Sequence, residues 1–578
     1  MTRSRWILIG LLAAAFAFLG WIALQRPRAV AGPAPDDGLT RVAGAVHVHT
    51  TLSDGGGTPN EVALAAKHAG LGFVVITDHN SLDAKPVEGY HDGVLVLVGT
   101  EVSTTAGHIV GLGLPDPAYR FSGDARDALD DIREPGGVAF AAHPQSPRED
   151  FRFSGWDLPG SWGLELLNGD SQWRSAGWPR LLRTAGLYLA NPRYALLGSL
   201  TPADETLRRW DRLLAVRDTP GILGADAHSR VPLSKRFAAR FPSYASLFEL
   251  ARNYVLLPEA LSGDAGRDAA RLIEALGRGR SYLGIDAIAP ADAFSFVAEG
   301  ASGRATMGDT IAATPAPRLR VLARAPAGAR AVLRKDGQPI GESGAAGAAG
   351  IAYLHDASGP GVYRVEVAVP GFGVPWIVSN PIYVFDEGER AARAARAAWP
   401  AEAPTPEAAQ ILDDLGPATS FGAEFGGGGS TMQREVLDPA AGPTGGPAAR
   451  IAFKLGQPGP GVPYVWCALV SRARRDLSGR NGVVFDLRAD GVYRLWIQVR
   501  DQNPASADDG TEWWFGSVRT SAQWRRVAVP FASLRSINPK TDGRLDLDKV
   551  VQIVFVLDQG AVKPGTSGTI WLSNLGAY

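Results

Sequence analysis

Between Arg41 and about Gly300 the chain alternates short apolar runs with longer amphipathic stretches. Phe73–Ile76, Val94–Val98, Val138–Ala141, Leu164–Leu167 and Ile222–Leu223 each read as a buried strand. Ala45 to His49 reads as a further strand, small or apolar residues alternating with histidine. On a strand, residues i and i+2 share a face, so His47 and His49 project together. Thr58-Pro59-Asn60-Glu61 is a capping box with proline at the first helical position, and the helix it opens stops at Gly70. Strands and helices alternating in this way imply an α/β domain with a parallel sheet or barrel.

Beyond Gly300 the pattern changes to strands and turns. Leu319–Leu322, Ala331–Arg334, Tyr363–Val369 and Trp376–Val378 predict a small β-sandwich over 301–386. Residues 387–430 are rich in Ala, Pro and Gly and read as a linker. The alternating segments Val483–Leu487, Val492–Val499, Trp524–Pro530 and Val551–Leu557 predict a jelly-roll-like β-sandwich over 431–578. No internal repeat is visible.

At the other end, Trp6 to Gln25 is an uncharged run of 20 residues, long enough to span a bilayer. Arg3 and Arg5 precede it and Arg26 and Arg28 follow. Ala29-Val30-Ala31 offers a signal-peptide cleavage site, but the apolar core exceeds the usual 7–15 residues. Residues 1–31 are therefore expected to be a membrane anchor or signal peptide, and 26–42 a linker. The body is expected outside the cytoplasm, membrane-anchored or secreted, as in a periplasm.

The whole chain has 578 residues, 45% of them hydrophobic, and a net charge of −1. That balance argues against a generally basic nucleic-acid surface. The single cysteine, Cys467, excludes an intrachain disulfide and a thiolate metal cluster.

Six of the nine histidines fall in short motifs at comparable places in the alternation. His47 and His49 end the first strand, and Asp54-Gly55 follows. His79 comes after Phe73–Thr77, Glu101 after Val94–Gly99, and His143 after Val138–Ala142. Asp226 and His228 come after Ile222–Leu223. In barrels of alternating strands and helices, chemistry collects at the carboxyl ends of the strands. Imidazole and carboxylate ligands without thiolate suit Zn, Mn or Fe.

The set HxHT…SDG, ITDHN, GTE…GHIVGL, AHP and GADAH resembles the polymerase and histidinol phosphatase (PHP) family of metal-dependent phosphoesterases, over residues 40–300. The resemblance implies a distorted (β/α)7 barrel with two or three divalent ions. It implies that His47, His49, Glu101 and Asp226 hold one ion. Glu101 bridges to a second ion, held with His108 and His143, and Asp54, His79 and His228 hold a third. Asp54, Glu101 and His228 are the expected catalytic residues. Some members carry histidine where this chain has Asp54. The expected reaction is hydrolysis of a phosphomonoester or phosphodiester by a metal-bound hydroxide, on a small molecule or nucleotide.

Arg148, Asn168, Arg230, Lys235 and Arg236 are candidate substrate contacts, although such arginines and lysines are commonly solvated surface residues. Glu165 reads either as part of the same rim or as an inward structural carboxylate. Asp78 precedes a ligand histidine and is a candidate partner for orienting an imidazole. His68, His91 and His355 lie outside any motif. In the last domain Trp466, Trp496, Trp513, Trp514, Trp524 and Trp571 are mostly expected in the core, but an exposed Trp513-Trp514 would suit a glycan. That domain faintly resembles carbohydrate-binding modules. Two other readings stand beside the phosphoesterase: an amidohydrolase-like enzyme on the same metal site, and a non-catalytic cell-envelope glycan-binding protein. No specific protein partner is implied.

Overall fold

The structure, a computed structural model, describes residues 13–14, 16–232, 234, 237–399, 404–436, 441–506 and 509–578. It divides into two compact units, Met1–Pro115 with Ser122–Pro400, and Asp116–Phe121 with Ala401–Tyr578.

The first unit is mixed α/β and is built on one large mixed sheet. Its leading strands are β1 (Thr40–Val48), β2 (Phe73–Ile76), β3 (Val94–Val98), β4 (Thr100–Thr104) and β5 (Gly107–Leu112). They are followed by β6 (Val138–Ala141), β7 (Gly163–Asn168), β8 (Gly221–Ala227) and β9 (Arg252–Leu257). β3, β2, β1, β8, β7 and β6 lie side by side in parallel. Every residue of β2 and β3 is buried, which explains their unbroken apolar sequences. β5 runs antiparallel between β4 and β6. The chain passes from β3 into β4 through Gly99, whose N–H donates to the Ile76 carbonyl at 2.8 Å, and the sheet closes on itself. Val46, Phe73, Leu95, Val110, Phe140 and Ile222 form the heart of its core.

The expected strict alternation of strand and helix fails at β4–β5, which is a hairpin. Thr104 pairs with Gly107, and Gly107 takes φ +88°, which closes the turn. The helix α1 (Pro59–His68) has the expected capping box between Thr58 and Glu61.

Residues 301–386 are not a separate domain. A four-stranded antiparallel sheet begins earlier, at Phe294–Gly300. The segment Ile377–Ser379 pairs with Ser281–Gly284 and so extends the large sheet. Buried polar groups join these parts. Asn380 donates to the Gly221 carbonyl at 2.8 Å and accepts from the Gly221 N–H at 2.7 Å. Buried Arg364 donates to both Asp211 oxygens at 2.7 Å.

Two expected linkers are structured. Within 26–42, the Arg28 N–H donates to the Ile288 carbonyl at 2.7 Å, and Ala31 bridges to Ala325. Within 387–430 lie a helix, Glu387–Ala397, and two strands of the second unit, Gln410–Asp413 and Phe421–Gly426. The latter pair with Ser567–Ala577 and Trp466–Ser471, so that unit starts before residue 431.

The second unit is a β-sandwich-like pair of six-stranded antiparallel sheets. Phe453, Phe485, Leu495, Phe555 and Leu572 fill the space between them, and Cys467 is buried there as a free thiol. No helix among the described residues is long and apolar enough to cross a membrane. The run Trp6–Gln25 lies partly outside them.

Candidate metal centre

The cluster forms where β1, β2, β4, β5, β6 and β8 meet. β1 leaves its regular register between Val46 and Val48, and His47 takes φ +69°. The side chains of His47 and His49 do share a face, but through this kink and not through simple strand alternation: their Nε2 atoms are 3.1 Å apart. Asp226, opposite on β8, has φ +46°, and His143, just past β6, has φ +29°. Left-handed backbone at a residue with a Cβ costs about 1–2 kcal/mol, so the surrounding packing must hold these three residues in place.

Four donor atoms surround one point. His47 Nε2 lies 3.3 Å from Glu101 Oε2 and 3.5 Å from Asp226 Oδ1. His49 Nε2 lies 3.2 Å and 3.4 Å from the same two oxygens. A tetrahedral ion with bonds of about 2.1 Å has ligands about 3.4 Å apart. The other Glu101 oxygen, Oε1, lies 2.8 Å from His108 Nδ1 and 2.7 Å from His143 Nε2. Asp54 Oδ1 lies 3.2 Å from His228 Nε2, 3.6 Å from His49 Nδ1 and 3.8 Å from His79 Nε2. His49 Nδ1 and His79 Nδ1 are buried and make no hydrogen bond. Nitrogens free of hydrogen bonds beside carboxylates are available as ligands, and the donor set fits divalent ions.

The electrostatics agree. Burial alone would lower His47 and His49, but the carboxylates of Asp226 and Glu101 outweigh it. His47, which also faces Glu165, is held well above the ordinary imidazole value, and His49 rises to about 10. Burial likewise opposes ionisation of Glu101 and Asp226, yet the adjacent imidazoles keep both far below the usual carboxylate range. His79 is pushed down to about 4, first by burial. The carboxylates thus draw positive charge onto His47 and His49, and a divalent ion could supply that charge instead.

Two carboxylates brace the cluster. Glu165, fully buried on β7, accepts from His47 Nδ1 at 2.6 Å and from the His143 N–H at 2.7 Å. Gly224 makes room for it, since a Cβ there would stand 1.9 Å from Glu165 Oε1. Among the described residues, Asp78 is hydrogen-bonded to no imidazole. It accepts from the Thr50 N–H at 2.7 Å and from Ser53 Oγ at 2.5 Å, anchoring the loop that carries Asp54. Tyr244, which carried no motif signal, accepts from the Gly57 N–H at 3.1 Å and lies 2.8 Å from the His49 carbonyl oxygen.

The candidate substrate contacts are distributed differently. Asn168 caps the helix Gly169–Arg174, accepting from the Ser171 N–H at 2.9 Å, and donates to Glu165 at 2.8 Å. Arg148 is exposed and stacks 3.5 Å over the Phe151 ring, which in turn lies 4.8 Å from the His108 ring. Arg230 is exposed and donates to the Asp54 carbonyl at 3.2 Å. Lys235 and Arg236 lie outside the described residues. A cavity of about 140 Å³ opens beside Asp226 and His228, lined also by Asp170, Trp173, Arg174 and Phe241. Asp170 and Arg174 form an ion pair there, and neither sat in a recognisable motif.

No family model matches the chain. An uncharacterized protein of Methanocaldococcus jannaschii is 33% identical over 117 residues, 18% of this chain and 67% of that protein. By that match the chain belongs to the same family as the archaeal protein. Among solved structures, a two-domain protein from Bacteroides vulgatus containing a predicted PHP-like metal-dependent phosphoesterase is 14% identical. It covers 62% of this chain and 99% of its own, with a TM-score of 0.30. A family 11 carbohydrate-binding module from Clostridium thermocellum, in complex with a mixed-linked β-1,3-1,4 tetrasaccharide, is 20% identical. It covers 29% of this chain and 94% of its own, with a TM-score of 0.24.

Proposed function

We propose that the first unit is a metal-dependent phosphoesterase of the PHP kind, its closed mixed sheet being that family's distorted (β/α)7 barrel. One observation carries the reading: the two oxygens of Glu101 face different sets of imidazoles. A carboxylate so placed would be able to serve two ions. His47, His49, Glu101 and Asp226 would hold one, and Glu101, His108 and His143 a second. Asp54, His79 and His228 would hold a third. Bound Mn, Zn or Fe would lower the pKa of water and offset the charge of a phosphoryl group. The protein's own residues do the positioning. Glu165 keeps a proton on His47 Nδ1, which turns Nε2 toward the cluster. Asp78 fixes the Asp54 loop. Arg230 puts positive charge at the cavity beside His228, which Arg174 lines as the ion-pair partner of Asp170, and a phosphate ester or nucleotide would enter there.

The test is metal analysis of the purified protein, followed by a screen of phosphomonoesters, phosphodiesters and amides with Mn, Zn or Fe added. At least two ions per chain and turnover of a phosphate ester are expected. Turnover of amides alone would replace this reading with the amidohydrolase one.

We propose, separately, that the second unit binds a glycan. Alternate residues of adjacent strands put Trp466, Trp496, Trp513 and Phe515 on the outer face of one sheet. With Tyr464, Gln498 and Gln552 they line a cleft of about 750 Å³. These three tryptophans are half-buried in the cleft and not in the core, whereas Trp514, one residue on, points inward. Aromatic faces interleaved with amides suit sugar rings. Affinity electrophoresis in gels containing soluble polysaccharides tests this; mobility unchanged in every gel would refute it.

A further inference from the structure

The helix Trp178–Tyr188 carries two arginines and no acidic residue. At about 100° per residue, Trp178, Leu182, Ala185 and Leu189 fall on one stripe. That stripe faces away from the protein: Trp178 is 77% exposed, Leu182 68% and Leu189 92%. Thr184 and Leu187 are buried on the other side. Arg180 and Arg183 are exposed on the other half of the helix, away from the stripe.

This helix lies against the end of the N-terminal apolar run. Ile22 is buried against Leu187 and Ala195. Asn191 Nδ2 donates to the carbonyls of Ile22 and Gln25, at 3.1 and 3.0 Å. Phe16, Trp21 and Leu24 are exposed beside it. There is no slack beyond this point, because Arg28 and Ala31 are already bonded to Ile288 and Ala325.

We propose that this face rests on a lipid bilayer, with the Trp178–Leu189 stripe in the boundary between headgroups and acyl chains. The argument rests on the uncharged run Trp6–Gln25 entering the membrane, and it goes beyond that. A run that ends in a turn bonded to Asn191 holds the neighbouring helix at the membrane surface. An amphipathic helix with Trp and Leu on one side and two arginines and no acidic residue on the other suits that position, and its net positive charge suits an anionic surface.

The full chain tests this. Cys467 is buried, so a cysteine introduced by Leu182→Cys or Leu189→Cys is the reactive one and can carry an environment-sensitive fluorophore. Leu354→Cys, at an exposed position on the four-stranded sheet, serves as reference. With vesicles of phosphatidylcholine and phosphatidylglycerol the protein should float. Labels at 182 and 189 should shift to the blue and be quenched by spin-labelled lipid, while the label at 354 does neither. Protein that floats with the label at 182 unquenched overturns the proposal while leaving the anchor intact. Protein that does not float overturns both. A concentration-dependent blue shift without vesicles would instead assign the face to a second copy of the chain.

Discussion

Glu165 Oε1 lies 2.6 Å from His47 Nδ1, and this contact decides which nitrogen of His47 faces the cluster. Glu165 faces the His47 nitrogen turned away from the cluster, so it would act through orientation and charge. Glu165→Gln keeps the shape and removes the charge. It should weaken metal affinity by about 10–100-fold while the circular dichroism spectrum is retained. Competition with a chelator of known affinity measures the change, and equal affinity in both proteins would show the contact to be idle.

Glu101 and Arg230 provide a contrast. Glu101→Ala removes a carboxylate that faces five imidazoles, so bound metal and turnover should fall together to background. Arg230→Ala removes at most one charge-assisted contact, about 1.5–3 kcal/mol, and should leave the ion count unchanged. Near-normal turnover in Glu101→Ala would remove it from the bridging position.

Asp54 brings the only carboxylate to the group formed with His49, His79 and His228. In Asp54→Ala the imidazoles remain but the charge-neutralising oxygen does not. About one ion per chain should be lost with most of the turnover, and excess Mn should restore part of it by mass action. An unchanged ion count and unchanged turnover together would reduce Asp54 to a loop carboxylate.

Asp268 gives a pH dependence remote from the cluster. Burial would raise its carboxyl, but the Ser262 N–H at 2.8 Å, Tyr90 O–H at 2.7 Å and Gly263 N–H at 2.9 Å hold it down at about 2. The unfolded value is about 3.9. A depressed folded value gives stability that is full above the unfolded one and is lost as pH falls through the folded one. The stability gap between wild type and Asp268→Asn should therefore be constant from pH 7 to 5 and shrink between about pH 4 and 2. Urea unfolding at fixed pH measures it, and a gap that persists at pH 2 would contradict the assignment.

The uniform apolar runs were the most legible part of the sequence. Phe73–Ile76, Val94–Val98 and Val138–Ala141 are strands with the expected bounds. The β4–β5 hairpin was not legible, because Thr104-Thr105-Ala106-Gly107 lacks the Asn-Gly or Asp-Gly turn signal. Gln410–Asp413 is too short and too embedded in Ala and Pro to show a period. The clustered His, Asp and Glu could be read from the motifs, but not the kinks at His47 and Asp226, which no residue pattern announces. Asn168 carried two compatible signals, a polar residue on a strand rim and a helix cap, and the local backbone uses the second. The cleft tryptophans were hidden for another reason: alternation separates the two faces of a strand but does not say which face meets the other sheet.

His47, His143 and Asp226 share left-handed backbones at three strand ends. Glycine would occupy such positions at no conformational cost, but it has no donor to offer. The protein instead keeps three donors there under constraint, and their directions are set when the sheet closes, before any cation arrives. A divalent ion entering this centre would find its donors already immobilised, so that the chain would lose little entropy on binding it. Discrimination among metals would then fall to size and preferred geometry, because a rigid cage cannot adjust itself to each candidate.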